Sequence, residues 1–293
     1  MKDYFIRAMD KSASIRLFAA TTSNLVEEAR KIHGTSATVT AALGRTLTVS
    51  AMMGKMMKNE KDLLTLKING NGPVGTIMTV ANNKGEVKGV VRNPKADLPA
   101  RSNDGKLDVG GIVGDNGSLT VIMDLGMKEP YVGQSSLVSG EIAEDIASYY
   151  MVSEQTPSVV SLGVLVDKDI SCKAAGGFII QLLPNTAEEV IVKIEKALEN
   201  VEPVSTMIDK GMKPEDIMDK LLGEFDMEIL EKSDLEYYCN CNRDKIESVI
   251  ISLGRKEIED IIEEDQKAEV VCHFCNTKYQ FDKENLQSLI VDN

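Results

Sequence analysis

Residues 268–281 read Ala268-Glu269-Val270-Val271-Cys272-His273-Phe274-Cys275-Asn276-Thr277-Lys278-Tyr279-Gln280-Phe281. Both arms are β-like, and the Cys-x-x-Cys between them has room only for a tight turn, so the stretch predicts a hairpin with two sulfurs at its tip. A redox Cys-x-x-Cys of the thioredoxin kind would open a helix instead. Thirty residues upstream lies Cys239-Asn240-Cys241, preceded by the β-like Leu235-Glu236-Tyr237-Tyr238. Two close sulfur pairs brought together from distant parts of a small unit supply the donors of a tetrahedral four-cysteine zinc site, with Zn–S about 2.3 Å and every position filled. Closed coordination is structural rather than catalytic; the competing reading is four unrelated buried thiols.

The surroundings explain why a metal is needed. Residues 232–293 hold eight Lys or Arg against fourteen Asp or Glu, a net charge of −6 within a chain total of −13. A unit of that size and modest apolar content sits near the limit at which a hydrophobic core suffices. A structural zinc site contributes about 10–16 kcal/mol of folding free energy in small peptides. Its sulfurs are thiolates, the species that oxidants attack, and a disulfide sulfur is no longer such a ligand. Oxidation would eject the metal and unfold the unit. A Cys-x-Cys ring spans close to the upper Cα limit of ~6.8 Å and should therefore be readily reduced again.

Outward from this tail, the chain of 293 residues divides into three. Residues 185–231 form a helical connector: Thr186 and Glu189 spell a capping box before the apolar face Val190, Ile191, Ile194, Ala197 and Leu198, and after Pro203 a second helix runs from Pro214 with Ile217, Met218, Leu221, Leu222 and Phe225 inward. Residues 1–184 alternate strands and helices. Tyr4 to Ala8 and Ile15 to Ala20 read as strands, and Asn24 to His33 as a helix introduced by Ser23. The turn signals Asn69-Gly70-Asn71-Gly72-Pro73, Asn82-Asn83-Lys84-Gly85 and Asn116-Gly117 punctuate antiparallel hairpins. Gly140 to Gln155 returns to helix, and Val159 to Val166 and Phe178 to Leu183 are apolar strands. The fold class is α+β: an N-terminal domain of helices packed on a mostly antiparallel sheet, the connector, and a small C-terminal zinc-binding domain, 232–293.

With 33 Lys or Arg against 46 Asp or Glu, the balance excludes a protein whose main work is neutralising phosphates, so no specific nucleic acid is expected. The N-terminus MKDYFIRAMDKSAS lacks a signal-peptide pattern, and Thr35 to Met57, the longest weakly polar stretch, is too interrupted by Gly44, Arg45 and Lys55 to span a membrane. A cytoplasmic protein follows, where grouped cysteines are metal ligands or redox groups.

Several longer runs resemble the redox-regulated chaperone family called heat shock protein 33 (HslO): Asn71-Gly72-Pro73, Val90-Val91-Arg92-Asn93-Pro94, Leu125-Gly126-Met127-Lys128-Glu129-Pro130-Tyr131, Leu137-Val138-Ser139-Gly140-Glu141-Ile142-Ala143-Glu144-Asp145, Ser153-Glu154-Gln155-Thr156-Pro157 and Ala174-Ala175-Gly176-Gly177-Phe178. One departure is Gly89-Val90-Val91, where the family often has Gly-Tyr-Val. The resemblance spans essentially the whole chain. It implies an ATP-independent holdase, not an enzyme, with one zinc per chain in the inactive reduced state. Oxidation would form disulfides Cys239–Cys241 and Cys272–Cys275, release zinc, destabilise the connector and give a homodimer that holds unfolding client proteins. Two other classes compete: a zinc-ribbon nucleic-acid binder, disfavoured by the acidic tail, and a thiol-disulfide oxidoreductase.

Other residues take plainer roles. His273 faces solvent in the knuckle turn, since four thiolates complete the tetrahedron, and His33 favours a helix C-terminal dipole. Cys172 is a packed strand residue, and Gly70, Gly72 and Gly75 mark a hairpin turn rather than a phosphate loop, because a strand follows them. Met52, Met53, Met56 and Met57 have the spacing of helix core and could also supply adaptable surface. The connector's apolar faces are the better surface for clients.

Overall fold

A computed structural model describes residues 2–291. Its first compact unit runs through Tyr238 and its second begins at Cys239.

The stretch from Thr35 decides how the first unit is built. Ser36 accepts the Val39 N–H and starts a 19-residue helix in which nearly every side chain is buried. A helix apolar on all sides must be enclosed. Its hydroxyls are satisfied locally, Thr46 donating to Ala42 O and Thr48 to Gly44 O. In order along the chain, β1 is Tyr4–Asp10, β2 Ile15–Thr21, α1 Ser23–His33 and α2 this helix, Ala37–Lys55. Then come β3 Leu63–Asn69, β4 Thr76–Asn82, β5 Glu86–Val91, α3 Val109–Val113, β6 Ser118–Asp124, β7 Tyr131–Ser136, α4 Ala143–Val152, β8 Ser158–Val166 and β9 Cys172–Leu182.

These strands form two sheets with α2 between them. The five-stranded sheet, order β10-β1-β2-β9-β8 with β10 at Met227–Asp234, is antiparallel throughout. The six-stranded sheet has the order β11-β5-β4-β3-β6-β7, and only β11, Glu236–Tyr237, runs parallel to its neighbour. Two glycines set the spacing: a Cβ on Gly44 would meet Val164 of β8 at 2.9 Å, and one on Gly54 would meet the Asn82 carbonyl of β4 at 2.8 Å. So the single sheet expected from the sequence is two, wrapped on one buried helix.

Alternation along β1 and β2 splits the core. Phe5, Phe18 and Ala20 face α2, whereas Ile6, Leu17 and Ala19 face the opposite way. That second face is covered by the connector helices α5 Glu188–Leu198, α6 Val204–Asp209 and α7 Pro214–Leu222, through Ile194, Met207, Ile217, Met218, Leu221 and Leu222. Pro203, which interrupts the pattern, is the N-cap of α6, a short helix the sequence did not announce. The capping box does not form, because Thr186 donates its hydroxyl to Ser14 O and Leu183 O, leaving Ala187 at the N-cap. Ser23 is likewise drawn elsewhere, its Oγ accepting the Ala175 N–H of β9 at 2.9 Å.

The end of the connector is not helical. Met227–Asp234 pairs with β1, Tyr4 opposite Asp234, and β11 then joins the other sheet beside β5. The boundary drawn after residue 231 therefore falls inside a strand. Glu231 secures it, bound by Lys55 Nζ at 2.7 Å and Arg7 Nη2 at 3.1 Å.

The second unit holds α8 Arg243–Ile251, α9 Arg255–Glu264, β12 Lys267–Val271, β13 Lys278–Asp282 and α10 Lys283–Val291. Its core comprises Ile246, Ile250, Ile258, Phe281 and Leu286. No helix among the described residues is long and apolar enough to cross a membrane.

Candidate metal centre

The hairpin places the first pair of sulfurs. β12 and β13 pair antiparallel from Lys267–Asp282 to Val271–Lys278, so the chain must reverse between Val271 and Lys278. Cys272 N–H donates to Thr277 O at 2.9 Å and Asn276 N–H to Cys272 O at 2.8 Å, with Asn276 in the left-handed region at φ 56°. Asparagine tolerates that conformation better than most residues. His273 lies exposed in this turn.

The second pair comes from the segment leading into α8. Asn242 caps that helix, its side chain accepting the Lys245 N–H at 2.9 Å. Cys241 thus sits just outside a helix N-terminus, where the backbone dipoles favour negative charge. Arg243 then fixes α8 to the hairpin, its guanidinium 4.5 Å from the Phe281 ring centroid and donating to Gln280 O.

Among the described residues, all four cysteines come together, their sulfurs within 4.8 Å of one another. Cys239 Sγ is 3.7 Å from Cys272 Sγ, and Cys241 Sγ 3.3 Å from Cys275 Sγ. A tetrahedron with arms of about 2.3 Å has edges of about 3.8 Å, so the cluster matches the size of a four-thiolate zinc site. None of the four is disulfide-bonded. Cys172, the fifth, is not part of this group and begins β9 in the first unit; burial, then Glu27, pushes its thiol up to about 12, which leaves it unreactive.

The sulfurs are electrostatically opposed. Burial pushes the Cys241 thiol up, and Cys275 adds to the rise. Burial would raise Cys275 too, yet Thr277, through its hydroxyl and N–H, and the neighbouring cysteines bring it down to about 7. Four thiolates so close repel, and a divalent cation relieves that repulsion; soft sulfur donors in a closed set suit zinc. Tyr279 supports the cluster from β13, its hydroxyl donating to Cys241 Sγ at 3.1 Å. The sequence reading missed this residue; its place in the alternating arm after Cys275 was the available signal.

His33 does not serve as a helix-end cation. Its Nε2–H donates to Gly89 O at 2.9 Å, beside the Tyr237 hydroxyl, and burial pushes its imidazole below the ordinary value. Gly70 and Gly72 press against the backbone of residues 112–114 and precede β4, so they form a turn, as read.

Comparison with known proteins agrees with this fold. Residues 3–282 match the family model described as Hsp33 protein. A 33 kDa chaperonin of Alkaliphilus metalliredigens is 51% identical over 290 residues, covering 99% of both chains. One of Alkaliphilus oremlandii is 50% identical over 289 residues, 99% of this chain and 96% of that one. The crystal structure of the 33 kDa chaperonin (heat shock protein 33 homolog) of Thermotoga maritima superposes with a TM-score of 0.90 at 39% identity, covering 100% of this chain and 99% of that one.

Proposed function

The chain belongs to the heat shock protein 33 family of chaperones, and from that premise we propose that it is a redox-switched, ATP-independent holdase of the cytoplasm. The observation that carries the reading is the gathering of Cys239, Cys241, Cys272 and Cys275 around a point in a unit with a very small core. Bound there, one Zn2+ per chain would offset half the charge of four thiolates and supply the folding free energy that five buried apolar side chains provide only in part.

Oxidation acts on the sulfurs. Each pair gives two electrons to one peroxide, which takes up two protons and leaves as two waters while an S–S bond forms. Which sulfurs pair decides the outcome. A bridge Cys239–Cys272 or Cys241–Cys275, the close contacts above, would close a loop across 33 or 34 residues and stabilise the folded unit by about 4 kcal/mol, the second bridge adding little to the first. The local bridges Cys239–Cys241 and Cys272–Cys275 close almost no loop and constrain the unfolded chain little. The family resemblance implies the local pairing, and that pairing is consistent with oxidation leading to unfolding.

Cys239 lies two residues after β11, which follows β10, the strand in which the connector ends. Loss of order there frees the connector, and the apolar faces of α5 and α7, together with the sheet face they cover, become the client surface. The oxidised chain dimerises and holds unfolding proteins without a specific nucleic acid. The test couples a zinc-release indicator to a citrate synthase aggregation assay under mild peroxide, with disulfide mapping and hydrophobic-dye binding. Zinc release, dye uptake and aggregation suppression should rise together; zinc loss without suppression, or cross-pair disulfides in the active form, would overturn the proposal.

A further inference from the structure

The methionines after Ala51 have no part in the zinc switch. Met52 is fully buried, but Met53, Met56 and Met57, with Met123 of β6, line a cavity of about 420 Å3 where α2 ends. That is within the range of about 300–1,000 Å3 typical of small-molecule pockets. Unbranched thioether side chains fill and refill irregular apolar space readily, so this lining adapts to a flexible chain. The Tyr150 hydroxyl on the same wall is engaged with Met56 Sδ at 3.2 Å.

One polar group on the wall lacks what it needs. Arg16 of β2 donates from Nη2 to Gln181 Oε1 at 2.7 Å, but its Nε is buried without a partner, and no carboxylate lies within ion-pair distance of it among the described residues. A guanidinium without a counter-charge lacks its best complement, a carboxylate, and the Arg16 side chain lines the cavity. The acids on the wall are already occupied: Glu154 accepts the Tyr149 and Tyr131 hydroxyls, and Asp62 accepts the N–H groups of Asn59. They would oppose a dianion such as a phosphate ester more than a monoanion.

We infer that this cavity binds a medium-chain aliphatic carboxylate, with its chain among the methionines and its carboxylate on Arg16. The site is separate from the cysteine cluster and does not depend on the redox reading. Calorimetric titration of the reduced, zinc-loaded full chain with sodium decanoate tests it, with decanol as the uncharged control. Decanoate should saturate one site and bind at least about tenfold more tightly than decanol, a difference that a charge-assisted hydrogen bond readily supplies. Arg16→Gln should remove that difference while leaving decanol binding unchanged. Because Arg16 also lies over the Phe18 ring, Leu125→Asp at the partly exposed rim provides a second variant and should weaken decanoate. Absence of saturable binding, equal affinity for decanoate and decanol, or decanoate affinity unchanged in both variants overturns the assignment.

Discussion

The two compact units solve the same problem with opposite means. Residues up to Tyr238 enclose α2 between two sheets, and Phe5, Phe18, Leu43, Leu47, Met52 and Leu64 are all but fully buried. Residues from Cys239 onward assemble three helices and a hairpin around five buried apolar side chains, among the described residues. At about 1.5–3 kcal/mol for each such side chain, the ~10–16 kcal/mol of a bound zinc would be comparable with that whole core. The contrast teaches that one chain can carry a unit folded on a large apolar core beside one that, on the proposed reading, relies on four oxidisable sulfurs.

The strongest way to break this comparison is Cys272→Ser. With one of the four proposed zinc ligands gone, hydrogen exchange should show β12, β13 and α8 losing protection while α2 keeps it; a stable, metal-loaded variant, or loss in both units, would dissolve the distinction. Phe281→Ala should cost about 3–5 kcal/mol and appear as easier zinc loss to a chelator, whereas Leu47→Ala, costing about 2–5 kcal/mol, should lower the melting of the first unit and leave zinc retention alone. Swapped readouts would mean that the cores are not independent. Tyr279→Phe removes only the hydroxyl that donates to Cys241, and a fall of about 10–100-fold in zinc affinity, followed by competition with a chromophoric chelator, is expected for loss of such a supporting bond.

The smallest effect comes from His33, whose burial favours the neutral ring in the folded state. The unfolded chain takes up its proton near pH 6.5, above the folded value, so this group's contribution is complete above about 6.5 and declines as the pH falls through that value toward the lower folded one. Thermal melts between pH 7.5 and 5 should show a shallower acid loss for His33→Gln than for the parent, confined to the first unit. Equal slopes would remove His33 from the pH dependence.

What could be read from the sequence follows the range of the interactions. The Cys272–Cys275 hairpin was legible because strand alternation and a two-residue gap are local signals, and it turned out as β12 and β13. The inward positions of α7 were legible for the same reason. Met227–Asp234 was not: its partner strand lies more than two hundred residues away, and Ile229 and Leu230 stay exposed, as on an edge strand. Helices α8 and α9 were hidden by charge, since only Ile246, Ile250 and Ile258 in them are buried. Thr186 failed as a cap because two carbonyls outside α5 won its hydroxyl.

The threading of β1 has a consequence for how each molecule is made. Tyr4 sits between Thr21 and Asp234, and β2 is completed by β9. At about 5–20 residues per second, the ribosome delivers the last partner of the first strand roughly 10–50 s after that strand emerges. Until then β1 has one free edge, and β5 waits similarly for β11. Unpaired edges of this kind invite association between neighbouring nascent chains on one messenger. Slowing translation before codon 227 should therefore raise the aggregated fraction of newly made protein more than the same pause placed after codon 238.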